Sequence, residues 1–334
     1  MKAIVCHAFC DYHELKVEDF PAPPMPAHGA RIAVEAASVA FATSLWIAGK
    51  YQHKPPLPFV PGSEFVGKVL EVSPGVSVCA PGDRVLAISG WGAFAEEAAV
   101  SAHTVYRLPE GLHAHHALHL GTSYATAYGG LVWRARMQPG ETLLVLAAAG
   151  GVGLAAVELG RQLGAHVIAA AGGAEKCALA LEHGAHAAID YRAADLRAEI
   201  KRLTNGRGLD VVFDPVGGAS FDPAMRSLVA GGRHVLIGFA SGSVPQIPAN
   251  ILLVKNVSVM GFNIGEWLGW STNDQRAKYE PQLRAAFEQI FAWCLEGKLK
   301  PVVSQVVPLA EYPRAQDLVS ERRSVGKVVL QISG

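Results

Sequence analysis

The stretch from Thr142 to Gly164 constrains the fold of this chain more strongly than any other part of it. It opens with an apolar run, from Leu143 to Ala149, that shows no alternation with polar residues and is typical of a strand buried on both faces. Small residues follow, and apolar side chains then recur with helical spacing at positions 152, 155, 156, 159 and 163. The stretch therefore predicts a strand, a tight glycine turn and a helix.

Three small residues in this turn, Ala148, Gly150 and Gly153, have the spacing of the dinucleotide-binding fingerprint. The second lets the backbone approach a pyrophosphate, and the third lets helix and strand pack closely. The helix N-terminus, which begins with Gly151 and Val152, offers backbone N–H groups to phosphates. A tight strand–helix connection without a ligand is the alternative. A second predicted strand ends about 20 residues further on, where such folds bind the adenosine ribose, and this favours a bound nucleotide.

Strands and helices alternate regularly only in the middle of the chain. Residues 1–120 predict short strands separated by proline and glycine turns, and the tail predicts one long helix followed by strands. Between them, the pattern is typical of a doubly wound parallel sheet, an α/β fold. The predicted strands are 142–147, 166–171, 187–190, 210–214, 233–238 and 257–262, and the predicted helices are 123–136, 152–164, 174–183, 195–204 and 220–229. A chain of 334 residues also exceeds the size of most single cores, so two domains are expected.

The charge balance argues against nucleic-acid and membrane partners. The chain has 29 Lys and Arg against 29 Asp and Glu, no basic run, and no apolar run long enough to span a bilayer. We therefore expect its partners to be a small molecule and a second copy of the chain. The N-terminus begins directly as a strand rather than a signal peptide, and the five cysteines form no Cys-x-x-Cys pair, so a reducing, cytoplasmic location is expected.

Motifs along nearly the whole chain resemble the medium-chain dehydrogenase/reductase superfamily, specifically its zinc-free quinone oxidoreductase (zeta-crystallin-like) branch. The matching segments are 61–64 (PGSE), 81–85 (PGDRV), 92–96 (GAFAE), 126–128 (TAY), 147–153 (AAAGGVG), 184–185 (GA) and 325–328 (VGKV). The resemblance implies a Rossmann dinucleotide-binding domain at residues 123–263. It also implies a mostly β GroES-like catalytic and substrate domain formed by residues 1–122 and 264–334.

The resemblance also bears on metal binding. Zinc-dependent relatives hold a catalytic metal with a cysteine and a histidine at the positions that are Ala40 and Ser63 here. Because alanine cannot ligate and a serine hydroxyl is a poor zinc ligand, we expect no metal and a structural role for Glu64. A second candidate is the pair His115 and His119, which could share a helix face. Solvated or partly buried imidazoles are the simpler explanation for that pair.

The end of the second predicted strand decides between NADH and NADPH. Where an NAD enzyme carries an acidic ribose ligand, this chain has Gly172 and Gly173, which leave room for a 2′-phosphate. Lys176 matches a lysine that neutralises this phosphate in NADPH-using relatives, and Tyr191 matches a position near the adenosine phosphate. Lys176 could instead be an ordinary residue of a first helical turn, and the neighbouring Glu175 is an objection. The missing acid and the resemblance together predict NADPH as the cofactor.

Further cofactor contacts are expected at the carboxyl ends of the later strands, where open α/β sheets bind ligands. Phe239 and Ser241 follow the fifth predicted strand, and Phe262 and Asn263 follow the sixth. Each of these residues could also serve packing alone. As a set they are expected to border the nicotinamide.

Two more cofactor contacts, Thr126 and Lys327, and the candidate catalytic residue Tyr51 rest on the resemblance. The branch has an asparagine where this chain has Ala40 and an aspartate where it has Thr43, so the substrate pocket is expected to be more apolar here. With no metal and no nucleophile constellation, catalysis would consist of holding the nicotinamide hydride against a conjugated acceptor. Tyr51 or water would supply the proton.

These features predict an NADPH-dependent reductase of quinones or α,β-unsaturated carbonyl compounds that uses no metal. A non-catalytic NADPH-binding or structural member of the same branch is the alternative, because polar groups are missing at positions 40 and 43. A homodimer is expected through the strand 257–262, since its apolar, β-branched residues make a poor edge to leave open and relatives pair there.

Overall fold

The secondary structure changes character twice along the chain. The structure, a computed structural model, describes residues 1–271 and 273–333. Within these residues the strands are β1 (Lys2–Ile4), β2 (Val17–Asp19), β3 (Gly29–Val39), β4 (Glu64–Val72), β5 (Arg84–Ile88), β6 (Glu97–Ser101), β7 (Val105–Arg107), β8 (Thr142–Leu146), β9 (His166–Ala171), β10 (Ala187–Asp190), β11 (Leu209–Asp214), β12 (Leu228–Leu236), β13 (Ser258–Gly261), β14 (Val303–Pro308) and β15 (Lys327–Gln331). The helices are α1 (Phe41–Ile47), α2 (Ala114–Leu120), α3 (Thr122–Tyr128), α4 (Gly151–Gln162), α5 (Ala174–Glu182), α6 (Leu196–Leu203), α7 (Phe221–Arg226), α8 (Ala249–Lys255), α9 (Arg276–Leu295) and α10 (Tyr312–Ser320).

These elements form two compact units. One, here called the β unit, contains residues 1–122, 264–271, 273–296 and 301–333. The other, here called the nucleotide unit, contains residues 123–263 and 297–300. No helix formed by the described residues is long and apolar enough to cross a membrane.

The nucleotide unit is built on a parallel sheet with the strand order β10-β9-β8-β11-β12-β13. Every neighbouring pair in it is parallel, which confirms the predicted doubly wound α/β sheet. All five residues of β8 and all six of β11 are buried, as expected for central strands covered on both faces. Because the chain leaves β8 toward β10 on one side and toward β13 on the other, the strand order reverses between β8 and β11. That reversal is where open α/β sheets bind ligands.

Two predicted helices of this unit differ from the observed ones. The helix predicted for 123–136 is divided, because α3 ends at Tyr128 and residues 129–134 form a π-helical segment. The helix predicted for 220–229 ends at Arg226, because Leu228 pairs with Leu209 and begins β12. At the second place, strand pairing with β11 overrides the local helical pattern.

The β unit contains a larger, mostly antiparallel sheet. Its strand order is β14-β15-β3-β4-β5-β7, and β6 also pairs with β3. The predicted tail strand is confirmed as β15, which lies antiparallel to the eleven-residue strand β3, so the tail completes a sheet that the first residues begin. Alternate residues of β3, including Ile32 and Val34, face a core that also contains Phe65 and Phe94. The predicted fold class, a parallel α/β sheet together with a mostly β unit, is therefore confirmed.

Candidate functional site

The turn that joins β8 to α4 has the backbone shape that the glycine motif requires. Ala147 adopts a left-handed conformation with φ 51°, and its carbonyl accepts the Gly150 N–H at 2.9 Å. A Cβ atom placed on Gly153 would lie 2.1 Å from the Ala147 carbonyl oxygen, so only glycine fits there. A Cβ atom on Gly150 would meet nothing closer than 3.4 Å. The turn is therefore closed on its inner side and open at Gly150, where α4 begins with Gly151 and presents its first N–H groups.

The other two residues predicted for this turn have different surroundings. Ala148 is fully buried, and its N–H donates to the Ala170 carbonyl on β9 at 3.1 Å. Val152, in the first turn of α4, is partly exposed. Ala148 therefore supports the turn from inside, while the residues on the outer side remain accessible.

The end of β9 is a glycine platform covered by two side chains from the next strand connection. The Asp190 carboxylate accepts the N–H groups of Gly173 and Arg192, each at 3.0 Å, and so ties the two connections together. A Cβ atom on Gly172 would lie 2.7 Å from the Tyr191 hydroxyl and 2.9 Å from Arg192 Nε. Tyr191 and Arg192 therefore lie directly over Gly172.

Arg192 is a residue that the sequence analysis missed. Its position two residues after the end of β10 was the available signal, since ligand-binding residues follow strand ends in such sheets. Lys176 lies in the first turn of α5 and is partly exposed. The structure thus places Tyr191 and Arg192, which follow β10, against Gly172, which lies on the connection that leads to the helix of Lys176.

The predicted contacts after the later strands lie at the same carboxyl edge. The Phe239 ring is 2.9 Å from where a Cβ atom of Gly217 would be, and Ser241 Oγ is 2.6 Å from that of Gly218. These two glycines have φ of +64° and +55°. Phe262 is half-buried and packs against Trp133 with ring centroids 6.4 Å apart.

Two further predicted contacts of the nucleotide unit differ in exposure. Asn263 is the second residue after β13 and is exposed. Thr126 lies within α3 and is buried. The residues after β12 and β13 therefore follow strands that end at the carboxyl edge of the sheet, whereas Thr126 lies on α3 and is buried.

In the β unit, the predicted contact Lys327 is engaged in a buried ion pair. Its Nζ lies 2.8 Å from Glu64 Oε2, and both side chains are less than a tenth exposed. The same carboxylate accepts the Ser38 hydroxyl at 2.6 Å and the backbone N–H of Thr122. Glu64 thus joins β4, β3, β15 and the start of α3.

The residues at the zinc positions of the superfamily do not fit a metal. Ala40 precedes α1 and offers no ligand, Ser63 is buried, and the neighbouring Glu64 carboxylate already has three partners. Within residues 1–271 and 273–333, no group of three or more His, Cys, Asp or Glu could hold an ion.

The histidine pair of α2 is divided between two different partners. His115 Nε2 contacts Gln331 Oε1 at 2.9 Å, whereas the fully buried His119 accepts the Val302 N–H on Nδ1 at 2.9 Å. Both imidazoles thus form hydrogen bonds within the β unit, His115 with a residue of β15 and His119 with the residue before β14.

Tyr51 is half-buried beside an aromatic group. Its ring lies edge-on to Trp46 at 5.1 Å, and Trp46 lies edge-on to Trp270 at 5.5 Å. Burial raises the pKa of the Tyr51 phenol, so the hydroxyl stays protonated throughout the neutral range. Thr43, which stands where the branch has an aspartate, is completely buried. Among the described residues its Oγ1 has no hydrogen-bond partner.

Comparison with known proteins agrees with this architecture. Residues 26–110 match the family described as alcohol dehydrogenase GroES-like domain, and residues 151–278 match the family described as zinc-binding dehydrogenase. A quinone oxidoreductase-like protein 2 of Bos taurus is 39% identical over 95% of this chain and 89% of its own length.

Two similar solved structures were determined with NADPH bound. Escherichia coli quinone oxidoreductase complexed with NADPH has a TM-score of 0.88 and 28% identity, covering 99% of this chain and 100% of that one. A mycobacterial protein complexed with NADPH has a TM-score of 0.90 and 29% identity, with the same coverage. The fold, the glycine turn and these similarities agree along the whole chain, which therefore belongs to the medium-chain dehydrogenase/reductase superfamily, within its quinone oxidoreductase branch.

Proposed function

We propose that this protein is an NADPH-dependent oxidoreductase that reduces quinones or α,β-unsaturated carbonyl compounds without a metal. In this proposal the nucleotide unit is the dinucleotide-binding domain and the β unit is the catalytic domain. The observation that carries it is the edge of the parallel sheet, where the turn is open at Gly150 and Gly172, at the end of β9, lies under Tyr191 and Arg192. Gly172 and Gly173 carry no acidic side chain of their own, and the nearby Asp190 carboxylate is held by the N–H groups of Gly173 and Arg192. Such an edge accommodates a pyrophosphate and a 2′-phosphate.

Each part of the site has a separate role in this reaction. Bound NADPH would supply a hydride to the conjugated acceptor. The turn at Gly150 and the N-terminus of α4 bind the pyrophosphate, and Lys176 and Arg192 neutralise the 2′-phosphate. Residues after the later strands, together with Thr126, orient the nicotinamide. The protonated Tyr51 hydroxyl donates the proton that completes the reduction, and water is the alternative donor.

Turnover of NADPH with a panel of quinones, enals and enones tests this function. We expect steady oxidation of NADPH with at least one class of acceptor. Tyr51→Phe should lower kcat by roughly a hundredfold, the lower end of the usual range for a lost general acid, with little change in KM for NADPH. A protein that binds NADPH but oxidises it with no acceptor would instead be the non-catalytic member of the branch. An unchanged kcat in Tyr51→Phe would assign the proton to water.

Chelation should leave this activity intact. Because Ala40 and Ser63 cannot serve as zinc ligands and Glu64 is occupied by Lys327, we expect the same kcat after prolonged treatment with a strong chelator. Metal analysis of the treated protein gives the measurement. The metal-free mechanism would be contradicted if the chelator removed one zinc per chain together with the activity, and if added zinc restored that activity.

The protein is expected to form a homodimer through β13. This strand lies at the margin of the parallel sheet, so one side of its backbone has no neighbouring strand in the described chain. The helix before it, α8, exposes Leu253 and Val254 at 78% and 77%. An open strand beside exposed apolar side chains favours pairing with a second copy. Light scattering at micromolar concentration should give twice the chain mass of 35.3 kDa, and a monomer would contradict the prediction.

A further inference from the structure

A buried aspartate and a buried histidine lie side by side near the carboxyl edge of the parallel sheet. Asp214 ends β11, His234 lies on the neighbouring strand β12, and both side chains are completely inaccessible to solvent. His234 Nε2 is 2.8 Å from Asp214 Oδ2. The Phe221 ring packs 4.6 Å from the imidazole. Two buried titratable groups at this edge have no part in the reaction proposed above.

The other oxygen of this carboxylate shapes the chain that follows β11. Asp214 Oδ1 accepts the N–H groups of Val216 and Gly217, each at 2.8 Å. Among the described residues, His234 Nδ1 has no partner, so a proton there would be buried without an acceptor. Nε2 therefore carries the N–H that is donated to Asp214. Three donors fix the orientation of one carboxylate.

The turn held by Asp214 is joined to the loop that carries two predicted cofactor contacts. We call residues 215–220 the β11 loop and residues 237–245 the β12 loop. Three backbone hydrogen bonds of 3.1 Å connect them, from Ala240 to Pro215, from Ser241 to Val216 and from Gly218 to Ser243. Because Phe239 and Ser241 also contact the positive-φ glycines of the β11 loop, the two loops form one paired structure.

We propose that Asp214 and His234 are a positioning pair that holds Phe239 and Ser241 against the nicotinamide half of the cofactor. The inference rests on the proposed function, since it takes these two residues as nicotinamide contacts. The pair is too deeply buried to touch the cofactor or the substrate. It acts through the β11 loop, because loss of the histidine donor frees the carboxylate to turn away from the N–H groups of Val216 and Gly217. The adenosine half binds at β9 and β10, which this change leaves alone.

A matched pair of substitutions isolates the donor. His234→Gln keeps an N–H donor at a similar distance from the backbone. His234→Met introduces a side chain of nearly the same length as glutamine but without an N–H donor. His234→Phe is a second donor-free variant that keeps a ring against Phe221. The control is His183→Met, which breaks another buried histidine–carboxylate contact of the same unit, that of His183 Nδ1 with Glu158 Oε1 at 2.5 Å.

Binding of NADPH and of 2′,5′-ADP, which lacks the nicotinamide half, gives the readout. NADPH affinity is followed by nicotinamide fluorescence and 2′,5′-ADP affinity by calorimetry. We expect His234→Met and His234→Phe to weaken NADPH about tenfold to a hundredfold, the loss typical of a misplaced contact, and to leave 2′,5′-ADP within about twofold. His234→Gln should restore most of the NADPH affinity, and His183→Met should change neither ligand.

The outcomes separate this inference from the proposed function. Equal weakening of both ligands, or no weakening of NADPH in either donor-free variant, would overturn the positioning role while leaving the cofactor assignment standing. A wild-type protein that binds neither ligand would overturn both. If His234→Met does not fold, the comparison between His234→Phe and His234→Gln carries the same test.

Discussion

Lys327→Met is expected to lower the free energy of unfolding by about 3–5 kcal/mol, the usual cost of removing one partner from a buried ion pair. The substitution leaves the Glu64 carboxylate buried with only the Ser38 hydroxyl and the Thr122 N–H as donors. A charge in that position is poorly solvated, because Glu64 is 1% exposed. Urea unfolding of the wild type and the variant, followed by tryptophan fluorescence, gives the measurement.

The double variant Glu64→Gln with Lys327→Met is the matched control. It removes both charges and keeps an amide that can hydrogen-bond to Ser38 and to the Thr122 N–H, so most of the lost stability should return. The same variants test the alternative role of Lys327 as a cofactor contact. A fall in NADPH affinity with unchanged unfolding would show that the ammonium acts on the cofactor rather than on Glu64.

Replacing either cation near the end of β9 should reduce discrimination between NADPH and NADH. Lys176→Ala and Arg192→Ala are each expected to weaken NADPH roughly ten- to a hundredfold, because a charge-assisted hydrogen bond to the 2′-phosphate is lost. NADH lacks that phosphate, so its affinity should barely change. Titration of both cofactors into the wild type and the variants checks this, with Lys201→Ala, an exposed lysine on α6, as the control.

Gly172→Asp should also shift the cofactor preference from NADPH toward NADH, by adding a negative charge instead of removing a positive one. The new carboxylate repels the 2′-phosphate and offers a ribose ligand to NADH. The Cβ atom of the new aspartate must also displace the Tyr191 hydroxyl and Arg192 Nε, which would lie 2.7 and 2.9 Å from it. Both side chains are exposed and can move. Equal weakening of NADPH and NADH by Lys176→Ala, or a wild type that prefers NADH, would contradict the assignment of this platform.

The sequence pattern predicted those elements whose structure depends mainly on residues adjacent along the chain. The apolar run of β8 and the small residues after it require a buried strand and a tight turn wherever they occur, and the structure has both. The position of Arg192 after a strand end is visible in the sequence, but its place over Gly172 is not, because it depends on the Asp190 carboxylate, which binds the N–H of Arg192 and that of Gly173 together.

Side-chain pairs between distant strands were also beyond the sequence. Glu64 was expected to be structural, but nothing in its neighbourhood along the chain identifies Lys327 as its partner. The pairing of Asp214 with His234 likewise depends on the register of β11 against β12, in which Asp214 lies opposite Leu236. Periodicity reports which face of an element is buried, whereas such pairs require the alignment of whole strands.

The return of β15 to β3 also has a consequence for the order in which the protein is made. A ribosome releases the nucleotide unit, whose sheet uses only strands between residues 142 and 261, well before it releases β15. That unit can therefore complete its sheet during translation, as domains generally fold as units from the N-terminal side. The β unit must wait with residues 36–39 of β3 unpaired along one edge, and Glu64 without its cation, until β15 emerges. Translation speed through the codons between β13 and β15 would then govern how long the β unit is exposed to chaperones and proteases.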